Sequence, residues 1–295
     1  MIMLLNTLER CFRFFRAIGL VFAPKYYRND PPNFKPEHFS NILSRTHVHL
    51  EIKTTSHWKL HCKYKSETRI TEIFLLHTFS PAKPSLIFHH PSGEINHAFA
   101  YSIILGSGIT RRFNVFLIKA QHHTSTLDFL NNTIDTFTHH QCTFAGSVLA
   151  VEAIVGFHHK ETSTPLVVTG ASMGGIVATL HAYFFGTADT YVPLVAYPNV
   201  GEIFLGDSYK FGMSDRSTKL KNPAYLDSFA LKKPFSLSTA QKITPILGIN
   251  DKIVLFKKAK EFWDNSRVCY IAYPYGHFTP AIMRAEVQRR ILAAI

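Results

Sequence analysis

The chain is short of cysteine, of acid, and of any uninterrupted apolar run at its start. Its four cysteines, Cys11, Cys62, Cys142 and Cys269, lie far apart with no Cys-x-x-Cys spacing. That excludes a zinc framework or a dense disulfide scaffold and predicts a reducing, cytoplasmic compartment. No internal repeat or low-complexity tract occurs, which sets aside solenoids and arrays. There is no P-loop and no Gly-x-Gly-x-x-Gly, so no cofactor is expected. Basic pairs such as Arg111-Arg112 and Lys257-Lys258 are isolated, and no nucleic-acid module is readable. Histidines come in adjacent pairs (His89/His90, His122/His123, His139/His140, His158/His159). Neighbours in a strand point to opposite faces, so these pairs are poor chelates and no metal site is predicted.

Acid is scarce relative to base: 20 Asp and Glu against 32 Lys and Arg, a net charge of +12. The surplus favours anionic partners such as acidic lipid headgroups, or else it is spread over solvated surface. Residues 1–22 are apolar but interrupted by Glu9, Arg10, Arg13 and Arg16. They fit neither a secretory signal nor a membrane span. At helical spacing Leu4, Leu5, Leu8, Phe12, Phe15, Ile18 and Phe22 share one face, with Asn6, Arg10, Arg13 and Arg16 largely opposite. Residues 1–23 therefore predict a basic amphipathic helix that lies on an anionic membrane or packs on the protein's own core. Four prolines between Pro24 and Pro36 predict an irregular linker. The expected division is a helix and linker over 1–46 and one main domain over 47–295.

What is abundant is core material: 46% of residues are hydrophobic and 25 are Phe. The segments 47–52 and 57–64 alternate polar and apolar residues as half-buried strands do, and 70–77 is a third candidate. From residue 85 short apolar runs follow at 85–89, 114–119, 165–169, 191–196, 244–249 and 268–272. Helical segments at 129–137, 143–159, 172–185 and 257–263 separate most of them, and a last helix spans 280–294. Such alternation predicts an α/β fold with a mostly parallel central sheet flanked by helices. The stretch 199–242 breaks the alternation and is either a lid insertion or an ordinary helical excursion.

One motif carries chemistry. Gly170-Ala-Ser172-Met-Gly174-Gly175 is a Gly-x-Ser-x-Gly placed directly after an apolar strand and before a helix. The serine sits on a tight, strained turn, and Gly170 and Gly174 remove side chains that would collide across it. Ser172 is the predicted nucleophile, and the backbone N–H of Met173 a predicted oxyanion donor. A serine needs a base, and the base an orienting acid. Asp251 follows an apolar run, and His277 lies in the loop after the next one, so Ser, Asp and His occur in the order this motif requires. The bland alternatives are a turn-forming Asp251 and one more of 17 histidines. A second oxyanion donor is expected from Phe88-His-His-Pro-Ser-Gly-Glu94. Pro91 has no N–H, which leaves Ser92 ahead of His90 or Gly93.

The elbow, the loop His89–Gly93, Asp251 and Gly276-His277 together resemble the α/β-hydrolase superfamily over roughly residues 57–295. Within it, Leu149–Gly175 resembles the α/β-hydrolase-domain-containing protein 18 family, where a long apolar helix also precedes a strand and a Gly-x-Ser-Met-Gly-Gly elbow. The chain departs from many members at Pro91, where they carry small residues. The resemblance implies ester, thioester or amide hydrolysis without a metal. The apolar basic N-terminus and the candidate lid turn that expectation toward a carboxylic ester, of lipid character. An acyltransferase using the same triad, and a non-catalytic hydrolase-like scaffold at a membrane, are the alternatives.

Overall fold

A computed structural model describes residues 24–210, 212–231, 242–293 and 295. The helix expected over 1–23 and residues 232–241 of the candidate lid lie outside the described residues.

Ten strands form one sheet. In chain order they are β1 (His47–Thr54), β2 (His57–Tyr64), β3 (Glu67–Leu75), β4 (Ser85–His89), β5 (Asn114–Lys119), β6 (Leu166–Ala171), β7 (Thr190–Leu194), β8 (Lys242–Ile243), β9 (Ile246–Gly248) and β10 (Ile271–Tyr273). Their order across the sheet is β1-β2-β3-β5-β4-β6-β7-β9-β10, with β8 also on β7. β1, β2 and β3 pair antiparallel and join β5 antiparallel; every other pairing is parallel. The expected antiparallel entry and parallel body are both present.

Burial follows the residue pattern. In β2 the alternate residues Trp58, Leu60, Cys62 and Tyr64 are buried while their neighbours are partly or fully exposed. β4 and β6 are buried throughout, because helices cover both faces. Successive residues of β4 serve opposite layers: Ile87 belongs to the larger core, Leu86 and Phe88 to the smaller one.

Several elements differ from expectation for local reasons. A helix expected over 129–137 instead spans Thr126–Asn132, and the next runs unbroken from Phe137 to Glu161. Two caps set this break: the Ser125 hydroxyl accepts the Asp128 N–H, and the Thr136 hydroxyl accepts the His139 N–H. Among the described residues Phe137–Glu161 is the one helix long and apolar enough to cross a membrane, and 67% of its apolar window is buried within the fold. The last two parallel strands have only three residues each, since Pro245 precedes β9 and Pro274 follows β10. The final helix is split into Thr279–Ile282 and Arg284–Leu292 at Met283, whose ψ of 30° leaves the helical region.

The Pro-rich stretch is irregular and packs on the body: Tyr26 and Tyr27 are buried, and Tyr26 bridges to Met213. Beside it lie the short helices Val200–Leu205, Arg216–Lys221 and Pro223–Asp227 of the 199–242 stretch. Their Val200, Ile203, Phe204 and Tyr225 belong to the larger core.

Candidate active site

β6 ends at Ala171 and the helix Met173–Phe184 begins at once, so Ser172 alone makes the turn. Its backbone sits at φ 54° and ψ −112°, a conformation that costs a side-chain-bearing residue about 1–3 kcal/mol. Two hydrogen bonds hold it there. The Ser172 N–H donates to the Leu194 carbonyl, and the Ser172 carbonyl accepts the Ile176 N–H, both at 2.9 Å. The glycines are needed for a reason beyond the turn itself. A Cβ on Gly170 would stand 2.6 Å from the His89 carbonyl oxygen, and one on Gly174 would collide with the same atom. The elbow is therefore pressed against the end of β4, which brings the loop after His89 beside the serine.

Asp251 and His277 arrive from the ends of β9 and β10. Backbone bonds splice the two loops: Ile249 N–H to Tyr273 O at 2.8 Å and Asn250 N–H to Tyr275 O at 2.9 Å. The buried Asp251 accepts the N–H groups of Ile253 and Val254 on Oδ1, at 2.8 and 3.0 Å. Its Oδ2 accepts from His277 Nδ1 at 2.7 Å. With Nδ1–H donated to the carboxylate, Nε2 carries the lone pair. Ser172 and His277 line one cavity of about 350 Å³. Neither the Ser172 hydroxyl nor His277 Nε2 has a hydrogen-bond partner among the described residues. Such bonds are commonly long until a substrate is engaged.

The expected oxyanion donors divide. Ser92 lines the cavity. Gly93, at φ 76°, gives its N–H to His123 Nε2 at 3.3 Å, which removes it as a donor. His90 is fully buried and does not line the cavity. Met173 is buried behind the elbow and is not a lining residue, but its N–H opens the helix and so has no intrahelical acceptor.

The expectation that adjacent histidines diverge fails at His89/His90. β4 stops at His89, so the two do not share a strand, and their rings stack with centroids 4.8 Å apart. His123 lies against His90, also at 4.8 Å. The tautomers follow from the partners. His90 Nε2 accepts the Ala120 N–H at 3.0 Å, so its Nδ1–H donates to Pro91 O at 2.6 Å. His123 Nε2 accepts from Gly93, so its Nδ1–H donates to Gln121 O at 2.8 Å. Burial pushes His89 down to about 3 and His123 to about 4. These neutral imidazoles brace the loop that carries Ser92. No group of three His, Cys, Asp or Glu arranged to hold a metal ion occurs among the described residues.

Sequence reading missed the walls. Phe99, Ile103, Ile104, Phe129 and Phe278 make most of the cavity apolar, with Tyr26 and Tyr209 at its side. Phe99 is 58% exposed and Ile103 and Phe278 each 39%, so the mouth has an apolar rim. Glu94 is the one carboxyl among the lining residues. Burial pushes it up to about 7, against the hydrogen bond from the Ala100 N–H. It lay within the loop singled out from the sequence, but no spacing rule marks such a residue.

The sheet order, the elbow at the end of β6 and the acid and imidazole beyond β9 and β10 define an α/β-hydrolase fold. No family model matches the sequence, and no curated protein matches it. Solved structures do. A Staphylococcus aureus subsp. aureus Mu50 protein of unknown function superimposes with a TM-score of 0.56 at 11% identity, over 81% of this chain and 97% of its own. Acetyl xylan esterase from Paenibacillus sp. R4 gives 0.52 at 11% identity, over 89% and 98%. Est1E from Butyrivibrio proteoclasticus gives 0.50 at 12% identity, over 80% and 98%. At such identities the likeness speaks for the fold alone.

Proposed function

We propose that the chain is a serine hydrolase that cleaves a carboxylic ester through an acyl-enzyme, with Ser172 as nucleophile, His277 as general base and acid, and Asp251 as orienting acid. The observation that carries this reading is the convergence of a strained serine and an Asp-bound imidazole on one apolar cavity. In the first half-reaction Ser172 Oγ bonds to the ester carbonyl carbon while its proton passes to His277 Nε2. The carbonyl oxygen becomes an oxyanion, which the N–H groups of Ser92 and Met173 are assigned to receive. Collapse breaks the C–O bond, and the leaving alkoxide takes the proton from His277. Water repeats the sequence on the acyl-enzyme and releases the acid. None of these steps calls for a metal or cofactor.

The presence of an acetyl xylan esterase among the structural neighbours agrees with this chemistry. The apolar walls suit an apolar acyl group of lipid character. Among the described residues Tyr209 is the contribution of the 199–242 stretch to the cavity, which supports a lid role for that stretch. The resemblance of 149–175 to the α/β-hydrolase-domain-containing protein 18 family belongs to this proposal. So does peripheral attachment of a cytoplasmic protein to anionic membrane through residues 1–23.

A fluorophosphonate probe tests the nucleophile. Labelling of the wild-type chain that disappears in Ser172→Ala is the expected result, and equal labelling of the two overturns the assignment. Product analysis with a competing alcohol separates hydrolysis from acyl transfer. Flotation with anionic liposomes, with and without residues 1–23, tests the membrane partner.

A further inference from the structure

We infer that Glu94 is a specificity-determining carboxyl of this site and that the substrate is an ester bearing a free hydroxyl, which Glu94 engages. The inference rests on the serine-hydrolase reading above and names the substrate class within it.

Glu94 shares the cavity with Ser172 and His277 and stands two residues beyond Ser92 on the same loop. It is held in place, since its Oε1 accepts the Ala100 N–H at 3.0 Å. It forms no ion pair with Lys, Arg or His among the described residues. A carboxyl offers about four lone-pair sites, and the Ala100 N–H occupies only part of them. What remains is a half-buried carboxyl oxygen set in an apolar wall, open to the cavity. A substrate donor would meet it.

A hydroxyl matches better than a permanent cation. The burial that pushes Glu94 up to about 7 means that near neutrality the group is present in both forms. It can therefore accept from a hydroxyl or donate to one, without a buried charge to neutralise. The bland role for Glu94 is to pin the start of the helix Phe99–Ile104, whose residues form a cavity wall. That role predicts equal damage to every substrate, whereas recognition predicts unequal damage.

The test compares kcat/KM within matched ester pairs for the full chain. One pair is glycerol monobutyrate against propyl butyrate, with the hydroxyls on the alcohol side. The other is ethyl 3-hydroxybutyrate against ethyl butyrate, with the hydroxyl on the acyl side. Wild type is expected to prefer the hydroxyl member of at least one pair by about 10- to 100-fold, as one hydrogen bond to an ionisable partner allows. In Glu94→Leu the ratio should fall to about one. Glu94→Gln keeps an acceptor for the Ala100 N–H and an N–H donor for a substrate hydroxyl, and should retain part of the ratio. No preference in wild type, or a preference that survives Glu94→Leu, overturns the inference. So does a stronger preference for an aminoethyl ester than for either hydroxyl ester. Fluorophosphonate labelling of the same preparations separates the two levels. Unlabelled wild type sinks the hydrolase reading, while labelled enzyme with an unmoved ratio sinks only the role of Glu94.

Discussion

Mild acid should destabilise this protein well before its carboxylates titrate. Burial pushes His89 and His140 down to about 3 and His123 to about 4, whereas an unfolded histidine titrates near 6.5. Below about pH 6.5 the unfolded chain takes up protons that the fold refuses, so stability falls with pH through this window and is fully present above it. At pH 5 each such histidine costs about 2 kcal/mol relative to pH 8, so these three alone cost about 6 kcal/mol, and His90, which burial pushes well below its ordinary value, adds to the fall. That is comparable to the whole stability of many domains, about 5–15 kcal/mol. His181 is also buried but lies 3.0 Å from the Glu152 carboxylate, which works against the shift, so it adds less. Both tryptophans, Trp58 and Trp263, are buried, so their fluorescence reports unfolding by urea. The urea midpoint should fall steadily from pH 7 to pH 5. His140→Gln, which no longer titrates, should remove about 2 kcal/mol of that fall. A midpoint that holds constant to pH 5 and drops only below about 4.5, where carboxylates protonate, would refute the reasoning.

Three further outcomes follow from the elbow and the proposed triad. Ser172→Gly relieves the positive φ and should raise stability by about 1 kcal/mol while abolishing ester hydrolysis; calorimetry and a rate assay on one preparation check both. Gly174→Ala places a Cβ into the His89 carbonyl and should cost about 2–3 kcal/mol and disturb the oxyanion loop, read as a lower melting temperature with a lower kcat. Asp251→Asn keeps an acceptor for Ile253 and Val254 but no longer fixes the His277 tautomer. It should lower kcat by about 10⁴ with little change in melting temperature, and a drop of less than tenfold would mean that Asp251 does not orient the base.

The elbow was legible in the sequence because its causes are local. A strand, a one-residue turn and a helix are adjacent in the chain, and the glycines that permit the turn occupy fixed positions within it. The chain order of Ser172, Asp251 and His277 was legible because the last two each follow an apolar run. β9 and β10 were less so: with three residues each they show no period of their own, and Pro245 and Pro274 trim them. The branch between lid and excursion at 199–242 turns on packing and not on pattern.

The sequence by itself determined the alternation of strands and helices, the strained serine and the chain order of its partners, since these depend on short-range sterics and hydrophobic period. Tertiary structure alone decided that the His89 carbonyl seats the elbow, that His123 takes the Gly93 N–H and that Glu94 faces the same cavity as Ser172. Those facts depend on which distant segments come to share a volume, and close packing of the whole chain sets that.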